Sequence, residues 1–391
     1  MNLGKAATSL VIIATSVGVG LLLCEASARL FLNSGDYLLV ELEQNEILGR
    51  TVPVGTSGYD EWGFRNRNVP STVDIVAIGD SHTFGNTAKM DEAWPFVLGR
   101  LTGKTVYNLS LGGYGPNQYS HLFKTKALSL NPRLIICGLY MGDDFDNAFR
   151  ITYGLDYWSF LRSMPLEKAN ADIWEVPADP SWHKRTRIWL SSHSVMYQII
   201  FHASILGREK GRIQIENASR LSEAATSLIV KERNIAEAFV PRGPLRGLDQ
   251  EKESVREGLR ITLKLLNEMN EESLRRNSRF VVVVIPTKEM VFSNYLEDDS
   301  SLKLADVVRK LILNERIARD AVFKSFRESG IRYIDVLPAL QGAIEREIYT
   351  RNSGDMHPSK NGYKVIAEAV ADSLKRDEAG ILFPDRKGKR D

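Results

Sequence analysis

Histidine and cysteine are scarce in this chain, six and two among 391 residues. Cys24 lies in an apolar N-terminal run and Cys137 in an expected buried strand, so no disulfide framework is indicated and the redox compartment stays open. His121, His183, His193 and His202 have no carboxylate or cysteine at ligand spacing. A metal site is therefore not indicated, and nothing in the sequence calls for a cofactor. Charge of one sign is missing too. The formal net charge of +2 excludes the strong electrostatic attraction that marks a nucleic-acid partner. There is no internal repeat and no long low-complexity segment. What remains, 43% apolar and 26% charged residues, is the composition of a globular protein with room for two domains or one elaborated domain.

The N-terminus carries a signal of its own. No charged residue occurs from Ala6 to Cys24, a run that matches the ~20 residues of a bilayer span. Lys5 precedes it, whereas Asp36, Glu41, Glu43 and Glu46 follow, which favours a cytoplasmic N-terminus and an exported remainder. Glu25 and Arg29 are spaced to pair on one helix face at the membrane border. Ala26-Ser27-Ala28 has the small-x-small form of a cleavage site, so a removable signal competes with an uncleaved anchor. The anchor is adopted here because apolar Leu30-Phe31-Leu32 extends the run.

The stretch around which the chain is organised is Asp74-Ile75-Val76-Ala77-Ile78-Gly79-Asp80-Ser81. Its β-branched residues read as a buried strand running straight into a turn. A serine there sits at the sheet edge, where open α/β folds place their ligands. To become a nucleophile it needs a base. Of the histidines, only His357 follows a carboxylate by two residues in a loop bounded by glycine and proline, Gly354-Asp355-Met356-His357-Pro358. His82, next to the serine on the turn, is expected to point away from it and to be structural.

Further strands are expected at 105–109, 132–140, 280–285 and 331–336. Helices are expected at 93–101, 117–130, 251–277, 302–328, 338–349 and 359–374. The alternation predicts an α/β fold, a doubly wound, mainly parallel five-stranded sheet with helices on both faces. Residues 151–250 break the rhythm. Trp158, Trp174, Trp182 and Trp189 fall there, before a charged stretch from Ile215 to Glu237 read as helical. This is taken as a helical insertion capping the sheet, its aromatics packing within the cap or stacking on sugar faces. The expected organisation is an anchor or signal (1–32), an approach segment (33–72), a core (73–150 and 251–376), the insertion (151–250) and a basic tail (377–391). Within the approach segment Arg65 is read as structural. Lys288, after the fourth strand, is either a cleft residue that binds an anionic group of the substrate or part of a solvated loop.

Gly79-Asp80-Ser81, then Gly113, then Asp355-x-His357-Pro358 resemble, in that chain order, the blocks of the SGNH (GDSL-type) hydrolases. The span from Asp60 to about Ala371 fits their layout, and Gly63-Phe64-Arg65-Asn66 is similar to a segment of their membrane-anchored members. The resemblance implies that Ser81 attacks an ester, His357 serves as base and then acid, and Asp355 orients the imidazole. Asp335 is an alternative orienting group. It also implies an oxyanion site from Ser81, Gly113 and an asparagine. Here Asp143 stands at the asparagine place, and an ionised carboxylate has no N–H to donate. Either Asp143 is kept protonated by burial, or it faces away, or Asn117 or Asn147 donates instead. Three functions follow as expectations. The first is a serine esterase removing acyl groups, O-acetyl above all, from an exported glycan or a small ester. The second is an O-acyltransferase on the same triad, similar to alginate O-acetyltransferases. The third is a non-catalytic glycan-binding protein. Oligomeric state is left open.

Overall fold

The computed structural model describes residues 3–38, 40–169, 182–200, 226–230, 235–297, 304–351 and 353–376. In chain order the longer helices and the strands are α1 (Leu3–Phe31), β1 (Glu43–Asn45), β2 (Gly49–Thr51), β3 (Ile75–Gly79), α2 (Ser81–Phe84), α3 (Trp94–Thr102), β4 (Val106–Ser110), α4 (Pro116–Thr125), β5 (Leu134–Tyr140) and α5 (Asp144–Gly154). Next come α6 (Trp182–His193), β6 (Thr226–Val230), β7 (Ile235–Phe239), α7 (Arg242–Leu248), α8 (Glu253–Arg275), β8 (Arg279–Ile285), α9 (Ala305–Glu328), β9 (Arg332–Asp335) and α10 (Lys360–Lys375).

Five strands form one sheet in the order β4-β3-β5-β8-β9, every neighbouring pair parallel. The first strand of this set thus lies between the second and third, and chain direction across the sheet switches between β3 and β5. That is where doubly wound folds leave a crevice beyond the strand ends. Side-chain alternation divides the core. Ile75, Ala77, Val281 and Val283 face the layer with α3 and α10, and Val76, Ile78, Val282 and Val284 face the layer with α4, α8 and α9. Because both faces are covered, these strands read as unbroken apolar runs rather than alternating ones.

The insertion departs from expectation. The described part of the stretch read as helical is an antiparallel hairpin, with Thr226 opposite Phe239 and Val230 opposite Ile235. The two short apolar runs Thr226–Val230 and Ile235–Phe239 are strands, and Lys231-Glu232-Arg233-Asn234, whose charges suggest a helix, lie outside the described residues. β7 is buried along its whole length against the sheet layer through Ile235 and Phe239. Trp158 is buried and donates from Nε1 to the Ile47 carbonyl at 2.8 Å, whereas Trp182 and Trp189 are exposed. Trp174, residues 215–225 and the basic tail lie outside the described residues. The 338–349 helix is also shorter than expected, with helical turns at Leu337–Gln341 and Ile344–Arg346 separated by Gly342.

Lys288 is neither in a cleft nor solvated. It is 2% exposed. Its Nζ meets Glu237 Oε2 at 2.7 Å and donates to the carbonyls of Ser353 (2.9 Å) and Ala238 (3.2 Å). The hairpin supplies the counter-charge that made burial possible, so Lys288 ties the insertion to the loop before His357. Lys288→Met is expected to lower stability by about 3–5 kcal/mol, because Glu237 would be left buried without its partner. Thermal unfolding of the purified chain measures this, and an unchanged midpoint would remove the tie.

α1 contains a 24-residue apolar segment, Thr8–Phe31, of mean hydropathy 2.0. At 1.5 Å per residue it is about 36 Å long, enough to cross a bilayer.

Candidate active site

Ser81 opens α2 directly at the end of β3. Asp80 is the N-cap: its side chain accepts from His82 N–H at 2.9 Å, and the helix closes at Gly85 in the left-handed region. Arg65 braces this short helix from below. Its guanidinium donates to the carbonyls of Phe84, Gly85 and Ala88 and lies 4.0 Å from the Phe84 ring centre, which is the structural role expected of it.

From the far end of the chain, the loop before α10 brings His357 over the serine. His357 Nε2 is 2.8 Å from Ser81 Oγ, across 276 residues of sequence. On the other side of the ring, Nδ1 is 2.7 Å from Asp355 Oδ1, whose second bond is from His357 N–H at 2.9 Å. With Asp355 accepting, Nδ1 carries the hydrogen and Nε2 is left to accept from the serine. Asp355-x-His357 therefore closes on itself as a turn. Thr87 donates to the Pro358 carbonyl, pinning the two loops together. Asp335, the alternative orienting group, pairs with Arg319 at 2.6 Å instead.

Burial would lower the pKa of His357. The bond and charge of Asp355, with Asp80 and Asp143, outweigh it and hold His357 above the usual histidine range. Burial works against Asp355 as well, but the bonds from His357 keep it below the usual carboxylate range. His82 is buried, bonds Asp80 through Nδ1 at 3.0 Å and stacks on Tyr140 at 3.7 Å. Its ring centre is 4.7 Å from that of His357. Burial holds it below the usual range despite Asp80, so a neutral ring supports His357 from beneath.

The glycine-rich loop stands beside the serine. A Cβ on Gly112 would lie 3.7 Å from Ser81 Cβ and 3.5 Å from Asn86 Oδ1. Gly113 has φ +75°, and a Cβ there would fall 1.6 Å from Arg50 Nη2, which also donates to the Gly112 carbonyl at 3.2 Å. Only glycine fits: the φ is left-handed and the side-chain position is occupied by a guanidinium. Gly113→Ala is expected to lower kcat for ester cleavage by about tenfold or more, since the turn that presents its amide would shift. Arg50→Ala added to it should not restore the rate, because the strained φ remains. Full recovery in the double variant would show that only space was at issue.

Asp143 ends the loop after β5. The residue is half-buried, yet its Oδ1 is fully buried without a hydrogen-bond partner among the described residues. Carboxylate oxygens of Asp80, Asp143 and Asp144 lie within 4.8 Å of one another. Asp144 is engaged by Tyr119 Oη (2.8 Å) and Tyr140 N–H (2.9 Å), and Asp80 by His82. Three acids this close share protons rather than carry three charges. Burial first, then the Asp80 charge, push Asp143 up to about 7 against the opposing pull of His357, and burial holds Asp144 well above the usual range.

The substitute donors differ. Asn117 is fully buried and its amide goes to Thr152 Oγ1 at 3.0 Å, so it belongs to the α4–α5 contact rather than the site. Asn147 stands one turn along α5 from Asp143. Its side chain lies near enough to favour the ionised Asp143, and its buried Nδ2 has no hydrogen-bond partner within normal geometry among the described residues. Two residues at the site carried no signal in the sequence. Arg50 lies in a segment without periodicity, and Asn86 is an exposed turn residue whose place beside Gly112 appears only in three dimensions.

Residues 247–388 match the family model described as the SGNH hydrolase-like domain of acetyltransferase AlgX. The match covers the part of the core that contributes Asp355 and His357. A search of the curated proteins finds no match. Among solved structures, the chain is similar to an acetylxylan esterase from Geobacillus stearothermophilus at 12% identity, covering 81% of this chain and 97% of that one with a TM-score of 0.37. It is also similar to a GDSL-like lipase from Bacteroides thetaiotaomicron at 8% identity, covering 78% and 88%, TM-score 0.36. At these scores the likenesses say nothing about substrate. Over the matched segment, less than half of the chain, the protein is similar to the SGNH hydrolase-like domain, and the Gly-Asp-Ser and Asp-x-His-Pro blocks lie on one five-stranded parallel sheet.

Proposed function

We propose that the chain is a membrane-anchored serine enzyme that takes acyl groups, O-acetyl above all, from an exported glycan through an acyl-Ser81 intermediate. The observation that carries this is the 2.8 Å contact between His357 Nε2 and Ser81 Oγ, with Asp355 on the other ring nitrogen. His357 takes the hydroxyl proton as Ser81 Oγ attacks the ester carbonyl. The tetrahedral oxyanion forms beside the Gly112–Gly113 turn, where backbone N–H groups of Ser81 and Gly113 stabilise it. Imidazolium His357, favoured by Asp355, returns the proton to the leaving alcohol. In the second half His357 activates water in the same way, and the acid is released.

Asp143 completes the oxyanion site in its protonated form, an O–H donor where an asparagine amide would otherwise stand. Its buried Oδ1, without a hydrogen-bond partner among the described residues, and the neighbouring Asp80 charge support this. α1, apolar over Thr8–Phe31, holds the enzyme in the membrane with the remainder exported. A second reading is favoured by one observation: the matched family model is that of an acetyltransferase. In that case a glycan hydroxyl replaces water in the second half-reaction, and the first half is unchanged.

The test supplies an activated acetyl ester with and without an acetyl-free oligosaccharide. Acetate release that is indifferent to acceptor supports hydrolysis. Acetyl appearing on the acceptor at the expense of acetate supports transfer. Failure to consume the ester under either condition would contradict both.

A further inference from the structure

The N-terminal helix does not simply trail from the folded domain; it is bonded into the insertion. Glu25 Oε2 accepts from Met196 N–H and Ser194 Oγ, both at 2.9 Å, and Oε1 accepts from Val195 N–H at 3.0 Å. Helix resumes at residue 195 after a break at Ser194, so Glu25 caps that helix from 171 residues away, a favourable place for a carboxylate. Arg29, paired with Glu25 at 2.7 Å, donates to the carbonyl of His193, the last residue of α6, also at 2.7 Å. One ion pair thus closes two helix ends. Ala28, Leu38 and Val195 are buried together beneath it.

These contacts fix the end of α6 at the level of residues 25–38, where the apolar segment stops. Trp182 and Trp189 are seven apart, hence on one helix face, and are 70% and 56% exposed. Leu30 and Phe31, at the end of α1, are 81% and 86% exposed. The sequence of α6 contains Lys184, Arg185 and Arg187 and no acid. Exposed tryptophan beside a membrane span is the pattern of residues seated among lipid headgroups, and a basic helix is drawn to anionic lipid.

Resting on the reading of α1 as an anchor, we propose that α6 is an interfacial membrane helix, with Trp182 and Trp189 in the lipid headgroup region. The occupant of its exposed face is the bilayer because Glu25 and Arg29 tie the end of α6 to the end of the span and the basic residues of α6 suit anionic headgroups. The same bonds imply that the anchor is retained. Cleavage after Ala28 would remove Glu25 and uncap the helix from 195.

The full chain, reconstituted in vesicles of phosphatidylcholine and phosphatidylglycerol, tests this. Lipid brominated near the headgroup end of its acyl chain should quench tryptophan fluorescence more than lipid brominated near the chain end. Trp182→Phe/Trp189→Phe should lower the shallow quenching by about twofold or more, as expected for residues of an aromatic belt. Glu25→Ala should lower it as well, while vesicle flotation is unchanged. Flotation with quenching that is the same in the double variant would overturn the proposal and leave the anchor standing. A chain that does not float would overturn both.

Discussion

Ser81→Ala is expected to lower kcat for acyl-group turnover by on the order of 10⁴-fold or more, and adding His357→Ala should cost little beyond that. The two side chains act as one device. Without the serine there is nothing for the imidazole to deprotonate, and without the imidazole the hydroxyl keeps its proton. The 2.8 Å contact is what makes their effects non-additive, and steady-state kinetics of the two single variants and the double variant measure it. If the single losses multiplied in the double variant, the groups would be acting independently and the acyl-Ser81 pathway would be wrong. Asp355→Asn should also be severe, since an amide can hold the ring in the opposite tautomer. A loss in kcat with little change in KM is expected, because Asp355 touches the imidazole and not the substrate.

The second large effect concerns Asp143, and here the expected change is a gain. As a donor, Asp143 must be protonated, and it is pushed up to about 7 by burial and Asp80. The donating form is therefore lost as pH rises through about 7. His357 must be neutral to act as base, and it is held above the usual histidine range by Asp355, so the active form appears only as pH rises. The two requirements oppose each other, and the pH profile of kcat should be a narrow, low bell near neutrality whose limbs belong to the coupled pair. Asp143→Asn gives a donor that does not titrate. The falling limb should disappear and kcat above neutrality should rise by about tenfold to 100-fold, within the worth of one oxyanion donor. A variant that instead loses activity at every pH would show that the carboxylate itself is needed.

The parallel sheet was legible because its strands are buried on both faces. Phe280 to Ile285 and Leu134 to Tyr140 can only be strands of a covered sheet, and the turns at their ends locate the crevice. The meeting of Ser81, His357 and Asp355 was legible because each lies in a short turn that restricts residue type and spacing: Gly-Asp-Ser directly after a strand, and an acid two residues before a histidine between glycine and proline. What failed depended on distant partners. Lys288 reads as a cleft or solvated-loop residue, whereas Glu237, 51 residues earlier, pairs with it in a buried site. The stretch from Ile215 to Glu237 reads as helical from its charges, whereas within its described part pairing and burial against the sheet decide for strands at Thr226–Val230 and from Ile235 onward. Asn117 had the right chemistry but sits on the face of α4 that meets Thr152. The state of Asp143 was left open because it is set by Asp80, across the switch from β3 to β5, and no local pattern reports that proximity.

The central claim is that an imidazole activates one hydroxyl, and covalent labelling reads that event most directly. A fluorophosphonate probe added to the full chain in detergent, followed by peptide mass mapping, should place a single adduct on Ser81, with labelling abolished in Ser81→Ala and slowed by orders of magnitude in His357→Ala. Labelling elsewhere, or on Ser81 at the same rate without His357, would contradict the account.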